Sequence, residues 1–233
     1  MVSVLLYIGQ RIVLKEGRIM KKGMTIIMAA FFLVLAFGGS SQALINGQVW
    51  PGLSSYANNP GSAFPTPPAI PASNVPYAEF SVAAINFVAN STASYNTFLG
   101  LTNADYTNVQ GGFLGSNTIA TSGGFNGTFF RFTGQMFLNT NSTFSILHDD
   151  GFAIQILDGN TPVYFLDKST PVAATLDVFT PALATGTYNF VLAYGATNSF
   201  PEVLTMNVTN VPEPTTMLLL GLGMLGVAVL RRK

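Results

Sequence analysis

The sequence predicts an all-β protein: an antiparallel β-sandwich flanked by an N-terminal signal peptide and a C-terminal hydrophobic helix. Two observations favour the sandwich. Between Tyr77 and Val208, short runs alternate apolar and polar residues with a period of two, and turn signals such as Asp150-Gly151 and Asp158-Gly159 separate them. No segment there carries a sustained helical stripe. The alternating apolar positions are Phe130, Phe132, Met136 and Leu138; Phe144, Ile146 and His148; Phe152, Ile154 and Ile156; Tyr188, Phe190, Leu192 and Tyr194; Leu204, Met206 and Val208.

Composition and charge narrow the class of protein. Charged residues form 9% of the 233 residues, against roughly 25% in an ordinary soluble domain. Between Leu44 and Val211 there are eight acidic residues, whereas the bases are Arg131 and Lys168, so this part carries about six negative charges. It should repel nucleic-acid phosphates, and it is compatible with calcium or neutral sugars. The chain has no cysteine, which excludes disulfides and thiol chemistry.

The first 43 residues are typical of a signal peptide region. Met20 is followed by two lysines, residues 26–37 form an apolar run, and small residues precede a cleavage position between Ala43 and Leu44. We expect Met20 to be the true initiator, so that residues 1–19 are not translated; a longer basic region before the apolar run is the alternative. An uncleaved N-terminal anchor is a second alternative.

The predicted sandwich domain covers residues 44–209. Within it, residues 58–76 are rich in Pro, Ala, Ser and Asn, which indicates an extended loop. Proline cannot donate a hydrogen bond to a sheet ladder, so this stretch is not a central strand.

The last 24 residues, 210–233, form a separate segment. Pro212, Glu213 and Pro214 precede sixteen uncharged residues, and three basic residues end the chain. As a helix the uncharged run would be about 24 Å long, which is short for a hydrocarbon core of about 30 Å, and its glycines weaken the helix. The segment is therefore a short transmembrane stretch suited to removal, with an ordinary tail anchor as the alternative.

This segment resembles the PEP-CTERM sorting signal, in the motif Val211-Pro212-Glu213-Pro214, the glycine-containing apolar run and the basic end. The resemblance implies cleavage at the motif by an exosortase, a membrane protease-transferase. It further implies a Gram-negative bacterium, transient residence in the inner membrane, and delivery to the cell surface or to an exopolysaccharide or biofilm matrix.

The body is similar to the sugar-binding β-sandwich domain named after anthrax protective antigen. The similarity covers roughly Trp50 to Val208 and rests on three stretches, residues 130–138, 142–152 and 186–194. Trp50 is the counterpart of an early tryptophan of that family. In lectin-like members a paired Asp holds calcium for sugar binding, and here that pair would be Asp149 and Asp150.

Two interpretations of Asp149-Asp150-Gly151 stand. Two adjacent carboxylates can chelate calcium, but neighbouring strand residues point to opposite faces, so the backbone must leave strand geometry for both to reach one ion. A loop around Asn198 would supply further oxygens. In the other interpretation this is a plain Asp-Gly turn in which a carboxylate caps backbone amides.

The remaining candidates do not indicate catalysis. His148 is the single histidine, and a nucleophile with a positioned base requires three converging groups. Trp50 and the phenylalanines are expected in the core, and Arg131 is expected on a strand surface or beside an Asp. The predicted function is therefore a non-enzymatic surface or matrix component associated with exopolysaccharide, with a calcium-dependent lectin as the alternative.

Processing at both ends is the first testable prediction. Protein from the native host should begin at Leu44 and should have lost the segment that follows Pro212 to Pro214, because both cleavage signals are present in the sequence. Intact-mass measurement checks it. A mature product that still ends in Arg231-Arg232-Lys233 would contradict exosortase processing.

Overall fold

The computed structural model describes residues 44–64, 75–89, 93–110, 125–197 and 201–210. All of them lie in the second of two compact units of the chain, residues 42–233. Ten strands dominate: β1 (Ile45–Trp50), β2 (Ala78–Val82), β3 (Asn86–Ala89), β4 (Thr128–Leu138), β5 (Thr143–His148), β6 (Gly151–Asp158), β7 (Thr161–Lys168), β8 (Thr175–Phe179), β9 (Gly186–Ala196) and β10 (Glu202–Thr209).

Helical structure in the described residues is short. Helix α1 spans Ser54–Ala57 and α2 spans Tyr95–Leu99, and two 3-10 turns cover Pro60–Ala63 and Asn103–Asp105. Within the predicted loop 58–76, the chain therefore makes one 3-10 turn, and residues 65–74 lie outside the described residues.

The strands form two antiparallel sheets. The first sheet has six strands in the order β2-β1-β4-β9-β6-β7, and the second has four in the order β3-β10-β5-β8. The longest ladder joins β4 to β9, from Thr128 opposite Ala196 to Leu138 opposite Gly186. This architecture confirms the predicted all-β sandwich.

The main core lies between the sheets, and it is built from the residues that the period-two pattern selects. Phe130, Phe132, Ile146 and Leu192 are fully buried. Aromatic side chains in this core pack against each other. Phe130 stacks on Phe132 with ring centroids 6.2 Å apart and ring planes 8° apart. Such burial is the main favourable term in folding a sandwich of this kind.

A second, smaller core covers the outer face of the six-stranded sheet. Residues 53–64 pack over it, and Trp50 contacts Phe129 with ring centroids 5.6 Å apart. Because of this cover, Val191 and Ala193 of β9 and Ala153 of β6 are buried on the face where simple alternation predicts exposure. Residues 151–156 of β6 and 190–196 of β9 are therefore buried on both sides.

None of the helices in the described residues is long and apolar enough to cross a membrane. The predicted signal peptide up to Ala43 and the predicted C-terminal hydrophobic helix lie outside the described residues.

The fit of residues 53–64 on the sheet gives the second prediction. A Cβ added at Gly195 would overlap the backbone carbonyl of Ala57, which cannot move away cheaply. We expect Gly195→Ala to reduce the free energy of unfolding by about 1–3 kcal/mol. Chemical denaturation measures it.

The matched control is Gly186→Ala in the same strand, where the added Cβ would meet Tyr188 at an ordinary 3.5 Å. It should leave stability within about 1 kcal/mol of the wild type. Equal effects of the two changes would contradict the close packing of residues 53–64 on β9.

Candidate functional site

The candidate site is the crossing from one sheet to the other at Asp149 and Asp150. Strand β5 of the four-stranded sheet ends at His148, and β6 of the six-stranded sheet begins at Gly151. Two residues make this crossing, and Asp150 adopts φ 71°, a left-handed conformation that is uncommon for residues other than glycine. The backbone thus leaves strand geometry where a shared ion would require it.

The crossing is buried and tied to three other parts of the chain. Asp149 is 6% exposed and Asp150 is 0% exposed. The Asp149 amide donates to Val203 O at 2.9 Å, and the Asp150 amide donates to Val172 O at 2.8 Å. Asp150 Oδ2 accepts from the Thr197 amide at 2.6 Å. The turn therefore contacts the loop before β8, Thr197 just after β9, and Val203 of β10.

A third carboxylate, Glu202, lies in the same buried region. It is 0% exposed, and its Oε1 has no hydrogen-bond partner among the described residues. Tyr194 Oη lies 2.8 Å from Glu202 Oε2 and 2.7 Å from Asp149 O. A tyrosine hydroxyl has one proton, so both contacts are hydrogen bonds at once when Glu202 is protonated and donates to Tyr194.

Two of these acids, Asp149 and Glu202, have raised pKa values. Burial and the neighbouring charge of Asp150 raise the pKa of the Asp149 carboxyl above its usual value. Burial raises the pKa of Glu202 to about 8, with the charges of Asp150 and Asp149 adding to it and the hydrogen bond from Tyr194 opposing it. The region carries more negative charge than its protein neighbours compensate.

His148 joins the turn to β8. Its Nδ1 lies 2.6 Å from Asp150 O, and its Nε2 lies 2.9 Å from Asp177 Oδ2. Both partners are acceptors, so both bonds form together when both ring nitrogens carry a proton. Lys168 Nζ lies 3.3 Å from the other oxygen of Asp177. Both ring nitrogens of His148 therefore lie within hydrogen-bond distance of an oxygen.

Of the other residues predicted from the sequence, some lie in the described part of the chain and some lie outside it. Leu44 is exposed, whereas Ala43, Asn198, Pro212, Glu213 and Pro214 lie outside the described residues. Arg131 lies on the outer face of the six-stranded sheet and donates to Gln48 Oε1 at 3.2 Å. Burial lowers the pKa of the Arg131 guanidinium.

Three residues of the site were not singled out from the sequence: Glu202, Tyr194 and Thr197. The signal available for Glu202 was a lone acid at the start of an apolar strand, and such a signal is weak. Thr197 has a buried Oγ1 without a hydrogen-bond partner among the described residues, so it adds a second orphaned oxygen to the region.

Within the part of the chain that the structure describes, no three or more His, Cys, Asp or Glu side chains are grouped so as to hold a metal ion. A cation held by Asp149 and Asp150 would therefore need oxygens from hydroxyls, backbone carbonyls, water or a ligand, all of which calcium accepts.

The comparisons with known proteins concern the C-terminal segment and the body of the chain separately. Residues 210–233 match the PEP-CTERM protein-sorting motif, which confirms the tail and indicates an exported, membrane-transiting protein of the cell surface. No curated protein matches the sequence.

Several solved structures are similar to the body. The PA14 domain of the antifreeze protein MpAFP is 18% identical, with 76% of this chain and 88% of that chain covered and a TM-score of 0.43. The PA14 sugar-binding domain of an RTX adhesin is 16% identical, with 73% and 90% covered and a TM-score of 0.44. The epithelial adhesin 6 A domain from Candida glabrata, in complex with Galb1-3GlcNAc, is 12% identical, with 76% and 83% covered and a TM-score of 0.41.

The third prediction concerns pH. The pKa of Glu202 is raised from 4.5 to about 8 on folding, so the folded state binds more protons than the unfolded state between these values. The stabilisation is full below about pH 4.5 and is lost as the pH rises through about 8, with a slope of at most about 1.4 kcal/mol per pH unit. Denaturation across pH 5 to 8.5, in buffer with a chelator, measures this slope.

Glu202→Gln keeps the shape and removes the titrating group, so its stability should depend less on pH in this window. Glu79→Gln, at a partly exposed position of β2, is the control and should keep the wild-type slope. An unchanged slope in Glu202→Gln would show that Glu202 is not held protonated.

Proposed function

We propose that this exported protein is a glycan-binding component of the extracellular matrix, and that calcium held by Asp149 and Asp150 organises its binding surface. The observation that carries the proposal is the buried turn itself. It brings two adjacent carboxylates to one crossing between the sheets, with Asp150 held in a left-handed conformation. Backbone strain of this kind tends to persist where function requires it.

The residues present fit a hard cation. Asp149 and Asp150 supply carboxylate oxygens, and the orphaned oxygens Glu202 Oε1 and Thr197 Oγ1 are of the chemical type that calcium prefers. Bound calcium would supply a positive centre that offsets the charge of the buried acids and orients sugar hydroxyls. Asp149 and Asp150 would hold it, and the loop that contains Asn198 is proposed to complete the set.

The same geometry also supports a second candidate, a structural matrix component without an ion. Asp150 Oδ2 accepts the Thr197 amide, and backbone hydrogen bonds from Ala174 and Asp150 act on the Asp149 carboxylate. These bonds are those of a capped turn, which links loops without any ligand. In that case the uncharged, Asn- and Thr-rich sandwich occupies the exopolysaccharide layer as a passive component.

The same proposal includes the enzyme that processes the chain and the place where the mature chain resides. An exosortase of a Gram-negative bacterium cleaves the motif at Pro212 to Pro214, and the mature chain joins a biofilm or exopolysaccharide matrix. The domain binds rather than catalyses, because the ring nitrogens of its single histidine are both engaged by acceptors.

The fourth prediction separates the two candidates. A ligand that binds the folded state stabilises it in proportion to the logarithm of its concentration. Millimolar calcium should therefore raise the melting temperature of the wild type, and at one hundred times the dissociation constant the gain would be about 2.7 kcal/mol. Differential scanning calorimetry with calcium and with a chelator measures it.

The double variant Asp149→Asn and Asp150→Asn keeps the shape of both side chains and removes their charge. It should lose the calcium shift and calcium-dependent glycan retention together. Asp158→Asn, at an exposed hairpin turn, is the matched control and should keep both. A wild type that shows no calcium shift but still resides in the matrix would favour the structural component.

A further inference from the structure

A polar cleft of about 710 Å³ opens beside the Asp149–Asp150 turn, and neither aspartate lines it. Its walls come from residues 58 and 59, the end of β7, the loop of residues 169–172, and β8, with His148 at the base. Its volume lies within the range of roughly 300–1,000 Å³ that is usual for small-ligand sites. The proposed calcium site does not account for this cleft.

The cleft is preformed by hydrogen bonds between its walls. The Gly61 amide donates to Ser169 Oγ at 2.6 Å, which ties the segment after α1 to the end of β7. Lys168 Nζ lies 3.3 Å from Asp177 Oδ1 and joins β7 to β8. Rigid walls reduce the ordering cost of binding, so even a polar ligand can be retained.

The lining defines the class of ligand. Asn58, Asn59, Thr170 and Thr175 present amides and hydroxyls, and the described lining residues include none of Phe, Tyr and Trp. Such amides and hydroxyls suit a ligand with many hydroxyl groups, which can exchange hydrogen bonds with them.

The charge of the region narrows the class of ligand further. The region between Leu44 and Val211 carries about six negative charges, and Lys168 in the lining is already paired with Asp177. A chain of uronic acids or another anionic glycan would meet a negative potential on approach. The ligand that fits is therefore a neutral oligosaccharide.

We propose that this cleft is a glycan subsite that binds a neutral oligosaccharide by hydrogen bonds to Asn59, Thr170 and Thr175, without direct contact with the proposed cation. The inference rests on the proposed glycan binding. The loop at residues 169–174 connects the two sites, because Val172 O accepts the Asp150 amide. A sugar chain bound in the cleft therefore lies directly beside the acidic turn.

The test uses the intact chain, purified in a detergent without a sugar headgroup, on an array of neutral, uronic-acid and amino-sugar oligosaccharides. Thr170→Trp fills the cleft from an exposed position. Thr187→Trp, at an exposed position of β9 outside the cleft lining, is the control. Asn59→Ala is a milder cleft variant that removes one amide. Melting temperature, with and without calcium, verifies that each variant folds.

The wild type should retain neutral oligosaccharides. Thr170→Trp should lose at least tenfold in affinity while it keeps the calcium-dependent melting shift, Asn59→Ala should lose several-fold, and Thr187→Trp should match the wild type. The cleft proposal would be wrong if Thr170→Trp bound glycans as the wild type does while the Asp149→Asn and Asp150→Asn double variant lost binding. That result would leave the proposed function intact. A preference for uronic-acid chains would overturn the neutral ligand class, and an array without any bound glycan would overturn both proposals.

Discussion

The two-residue crossing between β5 and β6 is the constraint on which the site depends. Asp149 and Asp150 alone carry the chain from the four-stranded sheet to the six-stranded sheet. Asp150 takes a left-handed conformation, and a side chain at Gly151 would collide with the backbone of Ser169. The crossing therefore holds the loop before β8 against the turn and positions one wall of the polar cleft.

The cost of this arrangement is electrostatic. Asp149, Asp150 and Glu202 are buried together, and Arg131 and Lys168 do not form ion pairs with any of the three in the described structure. Neighbouring like charges in a poorly solvated region favour protonation or cation binding, since either one lowers the repulsion. Protonation of Glu202 and the calcium binding proposed above would thus be two responses to the same excess of negative charge.

The layer formed by residues 53–64 has a different role. It covers the outer face of the six-stranded sheet, so residues 151–156 of β6 and 190–196 of β9 are buried on both faces. Both strands begin or end at the site: β6 starts at Gly151 and β9 ends just before Thr197. A rigid scaffold on one side and short loops on the other are the usual arrangement for a binding site.

The sequence by itself determined the strands β4, β5, β6, β9 and β10, the sorting motif and the acidic turn, because period-two alternation, short linear motifs and Asp-Gly dipeptides are local signals. It also indicated that Asp149 and Asp150 could share an ion only if the backbone left strand geometry, and the left-handed Asp150 meets that condition. The tertiary structure alone decided that Glu202, Tyr194 and Thr197 meet this turn from about 45 to 53 residues along the chain. It also decided that residues 151–156 of β6 and 190–196 of β9 are buried on both faces. Both results depend on which strands pair and on what packs over the sheet, and a single sequence carries no local signal for such long-range contacts.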